Sequence, residues 1–131
     1  MVPVGRDAAI QSLIESIRRD MKRRVPNVDP NGPGAHARVL MLLSDPGESG
    51  ALASGYLSPL RNSDPTANNQ RRLMREAGLS PAVCVFWNGI PYDLEQGKAN
   101  ASDKRRGAGY LQRLRSTLQE LRVIVADGGM T

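Results

Sequence analysis

The sequence is short of the residues that cross-link or metallate a fold. It has one cysteine, Cys84, and one histidine, His36, in 131 residues. One thiol can close no disulfide within the chain, and it cannot build a multi-cysteine zinc or iron–sulfur site. Cys84 lies inside an apolar run, where a buried, inert thiol is expected. No apolar stretch approaches the length of a membrane span, and the N-terminus lacks an apolar signal core. A cytoplasmic protein with no membrane partner is therefore expected. Neither a Gly-x-Gly-x-x-Gly turn nor a Walker-type phosphate loop follows an apolar run, which argues against a generic nucleotide-binding α/β domain. Aromatic residues make up only 4%, and the one tryptophan, Trp87, reads as core.

What is present is the composition of a small folded domain. Hydrophobic residues make up 40% and charged residues 24%, an ordinary globular balance. A second domain would leave each half too little surface to bury. Lysine and arginine total 18 against 13 acidic residues, a formal charge of +5 with a pI near 10.0. A positive potential attracts polyanions and speeds their encounter, so nucleic acid rises among the candidate partners. The basic run Arg18, Arg19, Lys22, Arg23 and Arg24 reads equally well as a solvated helix face.

Along the chain, Ile10, Leu13, Ile14, Ile17 and Met21 recur at three- and four-residue spacing, which predicts an amphipathic helix from Asp7 to Arg24. Pro26, Pro30, Gly32, Pro33 and Gly34 then predict an irregular connection. The run from Arg38 to Leu43 is too short for a helix and reads as a buried strand, ending at Ser44-Asp45-Pro46-Gly47. A loop is expected from there to Asp64. Asp64 followed by Pro65 should cap and open a helix that runs to Ala77 and stops at Gly78. Val83 to Trp87 reads as a second buried strand, emptying into Asn88-Gly89-Ile90-Pro91-Tyr92, with a loop from Gly97 to Asp103 after it. Leu111, Leu114, Leu118 and Leu121 mark another helix, and Val123 to Ala126 a third strand. This alternation predicts a three-layer α/β/α fold: a short parallel sheet of three strands, helices on both faces and right-handed crossovers. Residues 1–34 are expected to form a helix with its Pro/Gly-rich connection, and residues 35–131 the α/β domain.

In open α/β sheets ligands bind outside the carboxyl ends of the strands, where Asp45 and Asn88 fall. Cleaving an N-glycosidic bond develops a sugar cation and a departing base anion, so it needs a carboxylate near the sugar and donors around the base. Asp45 can orient a water or stabilise the cation beside a flipped nucleotide. Asp-Pro-Gly alone is also an ordinary turn. Asn88 can donate to a carbonyl and accept from an imide N–H, as the Watson–Crick edge of uracil requires, although Asn-Gly after a strand is often only a turn. Tyr56 can stack on an extruded base or anchor its own loop.

Taken together and in order, these patches resemble the uracil-DNA glycosylase superfamily. Leu43-Ser44-Asp45-Pro46-Gly47 is similar to its first motif, with Asp45 at the catalytic position and Pro46 and Gly47 beside the base. Ser54-Gly55-Tyr56 is similar to the segment presenting the stacking aromatic. Asn62, Asp64, Thr66, Ala67 and Asn69 resemble the polar helix start of actinobacterial-type members, and Phe86-Trp87-Asn88-Gly89-Ile90-Pro91-Tyr92 resembles the motif carrying the base-recognition asparagine. The resemblance covers roughly residues 35–131. It implies base excision from DNA by a monofunctional glycosylase using no metal or organic cofactor, and the single cysteine excludes the iron–sulfur branch.

One departure bears on activity. The family's second catalytic motif, a histidine on a loop after a fourth strand, has no counterpart, and the chain is expected to be cut short ahead of it. His36 precedes the first strand and reads as a surface or loop histidine. The third strand should then form an exposed sheet edge. Loss of one preorganised donor to a leaving group commonly costs about 10²–10³ in rate. A second expectation is therefore a relative that binds nucleic acid or a protein without chemistry. In either case Arg61, Lys98 and Lys104 are candidate DNA contacts by placement, each reading equally as solvated surface.

Overall fold

In a computed structural model of the chain, residues 6–95 and 97–126 are described. Asp127 to Thr131, the stretch after which no histidine motif is expected, lie outside them. The order is α1 (Arg6–Met21), β1 (Asn27–Val28), β2 (Val39–Leu43), α2 (Ala51–Ser54), β3 (Tyr56–Leu57), α3 (Pro65–Ala77), β4 (Cys84–Asn88), α4 (Ala101–Thr117) and β5 (Val123–Ala126), with 3-10 turns at Gly34–His36 and Pro81–Val83.

The three expected strands form one parallel sheet in the order β4-β2-β5. Side chains alternate across a strand, so the two apolar runs supply two different cores. Leu40, Val85 and Trp87 face one way and pack with Ile10, Leu13, Ile14 and Ile17 of α1 and Leu114 of α4. Val39, Met41, Leu43, Cys84 and Phe86 face the other way and meet Met74 of α3. The result is the α/β/α arrangement expected from the alternation of elements. Because α1 supplies four of the thirteen buried residues of the larger core, the boundary drawn at residue 34 does not divide the packing.

Several local expectations change. Helix α1 stops at Met21, because Lys22 turns to φ +54° and Arg18 reaches forward to donate to the Val25 carbonyl at 2.6 Å. The stretches expected to be irregular hold a two-residue parallel pairing of β1 with β3, begun by the Asn27 N–H donating to the Gly55 carbonyl at 2.8 Å. A single turn, α2, precedes it and closes on Gly55 at φ +85°. Elements this short carry no periodic signal. Helix α3 has the expected bounds, but the Asp64 side chain makes no cap hydrogen bond. Helix α4 starts at Ala101, inside the expected loop, behind a reciprocal capping box: Asn100 accepts from the Asp103 N–H at 2.8 Å and Asp103 from the Asn100 N–H at 3.0 Å.

Strand β5 is an edge, paired among the described residues with β2 alone, and Val123, Ile124 and Val125 are exposed. No described helix is long and apolar enough to cross a membrane.

Candidate functional site

The register of the two central strands brings the sequence motifs together. Leu43 is level with Asn88, the last residue of β4. The ladder then runs past the strands: the Gly89 N–H donates to the Leu43 carbonyl at 2.7 Å and the Ile90 N–H to the Ser44 carbonyl at 2.9 Å. The loop that starts at Asp45 is thus tied by backbone bonds to the loop that starts at Gly89. Between these strand ends and the first turns of α3 lies a cavity of about 370 Å³, lined by Asp45, Pro46, Gly47 and Asn88 and, from the α3 side, by Asp64, Thr66 and Gln70 among others.

Its floor and rim differ in kind. Asn88 is 2% exposed and Gln70 4%, and neither side-chain carboxamide nitrogen has a hydrogen-bond partner among the described residues. A buried donor left unpaired costs about 1–3 kcal/mol. Both residues line the one cavity, each with a buried amide nitrogen left unpaired among the described residues. The rim carries two carboxylates, Asp45 exposed and Asp64 half-buried. Asp64 comes close because residue 50 is glycine: a Cβ there would sit 2.8 Å from the Asp64 carboxyl. The cavity lining thus combines two buried carboxamides with two carboxylates, groups able to pair with carbonyl oxygens and to hold a water or face a cation.

Of the expected site residues, Asp45, Pro46, Gly47 and Asn88 line this cavity. Tyr56 does not. Its ring lies under the Arg61 guanidinium, 4.6 Å from ring centroid to Cζ, beside a separate cavity with Asn27 and Val28. This is the local anchor that a tyrosine in such a loop can also be. Arg61 is further held by Asp29 at 2.9 Å, while Lys98 and Lys104 are exposed and outside the cavity lining. His36 sits on the turn before β2, at the opposite end of the strand from Asp45, with Nδ1 2.5 Å from Glu120.

Gln70 was not among the expected site residues. Ala67, Gln70 and Met74 are the buried residues of α3, so the signal was a polar side chain on the inward stripe of an amphipathic helix, where a structural residue would be apolar.

A braced scaffold backs the site. Arg24 bridges Glu48, just past the Asp45 turn, at 2.8 Å and Asp93 at 2.9 Å. Arg23 lies over the Tyr92 ring, and the Tyr92 hydroxyl donates to Asp103 at 2.5 Å. The basic run is thus partly engaged rather than only a solvated face. The Asn100 N–H and the Tyr92 hydroxyl hold the Asp103 carboxyl below the ordinary carboxylate range. Burial works against charge on Asp93, but the Glu95 amide and Arg24 outweigh it and keep that carboxyl low as well. Burial raises the Cys84 thiol, which keeps it protonated and unreactive. Helix α4 approaches so closely that a Cβ on Gly107 would be driven into the carbonyl oxygen of Gly89, the residue after Asn88.

No family model matches this chain, and no curated protein matches it.

Proposed function

We propose that this chain is a DNA glycosylase of the uracil-DNA glycosylase type, a cytoplasmic protein that removes uracil or a related pyrimidine from DNA. The observation that supports this reading best is Asn88: a residue 2% exposed, its carboxamide nitrogen unpaired among the described residues, lining the same cavity as Asp45. A structural asparagine at the end of a buried strand would have its nitrogen satisfied by backbone. A reading asparagine must keep it for the ligand.

In the reaction, a flipped nucleotide places its base against Asn88, which donates to a base carbonyl and accepts from the imide N–H. The C1′–N1 bond breaks with its electron pair leaving on the base. Asp45 faces the sugar cation that develops, orients the water whose oxygen bonds to C1′, and takes the proton that the water gives up. Pro46 and Gly47 form the wall beside it. Arg61, Lys98 and Lys104 lend positive charge for phosphate contact. Tyr56, engaged by Arg61 outside the cavity, has no stacking role here.

The test is release of uracil from single- and double-stranded oligonucleotides. Wild type should release the base, and Asp45→Ala should lower the rate by about 10²–10⁴. No release by wild type, or undiminished release by the variant, would sink the proposal. One observation favours a second reading, binding without turnover: the only imidazole in the chain is at the far end of β2, so none lines the cavity to support a departing anion. Salt-dependent DNA affinity with no base release would favour that reading.

A further inference from the structure

The proposed reaction uses one of the two unpaired carboxamides and leaves the other without a task. Gln70 is as buried as a core leucine, and its nitrogen has no partner among the described residues. It projects from the inward stripe of α3 between Ala67 and Met74 and lines the same cavity as Asn88 and Asp45. An apolar side chain there would pack at no desolvation cost. The position thus holds an amide nitrogen that the described residues leave unpaired.

We propose that Gln70 is a specificity-determining residue, the second reader of a 2,4-dioxopyrimidine. This rests on the base-binding reading of the cavity. A diketo pyrimidine presents two carbonyl oxygens on either side of one imide N–H. Asn88 alone satisfies one carbonyl and the N–H. Gln70 donates to the second carbonyl, so both orphaned donors are met by one planar ligand. Cytosine replaces one carbonyl with an amino group. Whichever way it is seated, it sets a donor against a donor or leaves one unpaired, and a site built on hydrogen bonds rejects such analogues strongly. The walls contributed by Asp45 and Asp64 carry negative charge and do not compete for the same donors, since neither carboxylate bonds to Gln70 or Asn88.

The experiment is a titration of the whole chain, labelled on side-chain amides, with free uracil and with cytosine, followed by NMR. Uracil should shift the NH₂ signals of both Gln70 and Asn88, and cytosine should shift them far less. Gln70→Met, which keeps the straight chain and removes the amide, should weaken uracil binding roughly 10-fold and narrow the uracil-to-cytosine preference. If the Asn88 signals move with uracil while those of Gln70 stay still, or if Gln70→Met binds uracil as wild type does, the assignment of Gln70 is overturned and the base-binding reading survives. If neither amide responds to uracil, both fall together. The wild-type titration decides the matter without any variant, so a misfolded Gln70→Met does not blunt it.

Discussion

Two polar regions of this small protein sit within one sheet's reach of each other and are built on opposite rules. Around Tyr92, Asp93 and Asp103 each polar group has its partner: Tyr92 on Asp103, Asp103 on Asn100, Arg24 on Asp93 and Glu48. At the strand-end cavity, Gln70 and Asn88 are buried with nitrogens unpaired among the described residues, and Asp64 stands at a helix start without capping it. Satisfied polar groups hold a conformation, whereas buried unsatisfied ones cost stability. The first region is scaffold and the second is the candidate site.

The comparison is broken most severely where the two regions touch. Gly107→Ala forces a methyl against the Gly89 carbonyl. It should cost about 3 kcal/mol despite alanine's better helix propensity, and it should displace the loop that follows Asn88. Urea unfolding followed by circular dichroism checks the stability, and a variant as stable as wild type would show that the close approach does not exist.

The contrast is sharpened by a pair of changes that should have opposite signs. Tyr92→Phe removes a donor to a charged carboxylate and should destabilise by about 1.5 kcal/mol. Gln70→Met removes an unpaired donor and should stabilise by roughly 1 kcal/mol. Thermal midpoints of the two variants report both, and a destabilised Gln70→Met would mean that Gln70 belongs to the scaffold.

The smallest effect is the pH dependence. Asp103 and Asp93 both have folded pKa values below their unfolded values, near 3.9. Their contribution is complete above that unfolded value and is lost as the pH falls through the folded one. Stability should therefore decline below about pH 4, and less steeply in Tyr92→Phe, which lacks one of the groups that keeps Asp103 charged. Equal slopes in the two proteins would remove Tyr92 from the network.

Legibility from sequence tracked the length of the signal. β5 and α3 were legible to the residue, because an apolar run between turn formers and an Asp-Pro start with a glycine stop are local and strong. β1, α2 and β3 were not, since two to four residues carry no period and their pairing is made across some 28 residues by the bond from Asn27 to Gly55. The capping box at Asn100 and Asp103 was written in the sequence but lay within a glycine- and lysine-containing stretch that reads as loop. In the candidate site, the placement of Asp45 and Asn88 at one cavity was legible because each is the first polar turn after a buried strand. Tyr56 was misplaced, because a loop's direction depends on which strand its neighbours join.

By itself the sequence determined the alternation of helices and strands, the two faces of each buried strand and the strand ends at which Asp45 and Asn88 emerge. Those follow from periodicity and turn chemistry, which act over a few residues. Only the tertiary structure decided that β4 lies beside β2, that Gln70 shares a cavity with Asn88, that Gly107 must be glycine and that Tyr56 faces Arg61. Each of these is a contact between residues distant in the chain, and such contacts are set by which surfaces pack together rather than by any local preference of the residues that meet.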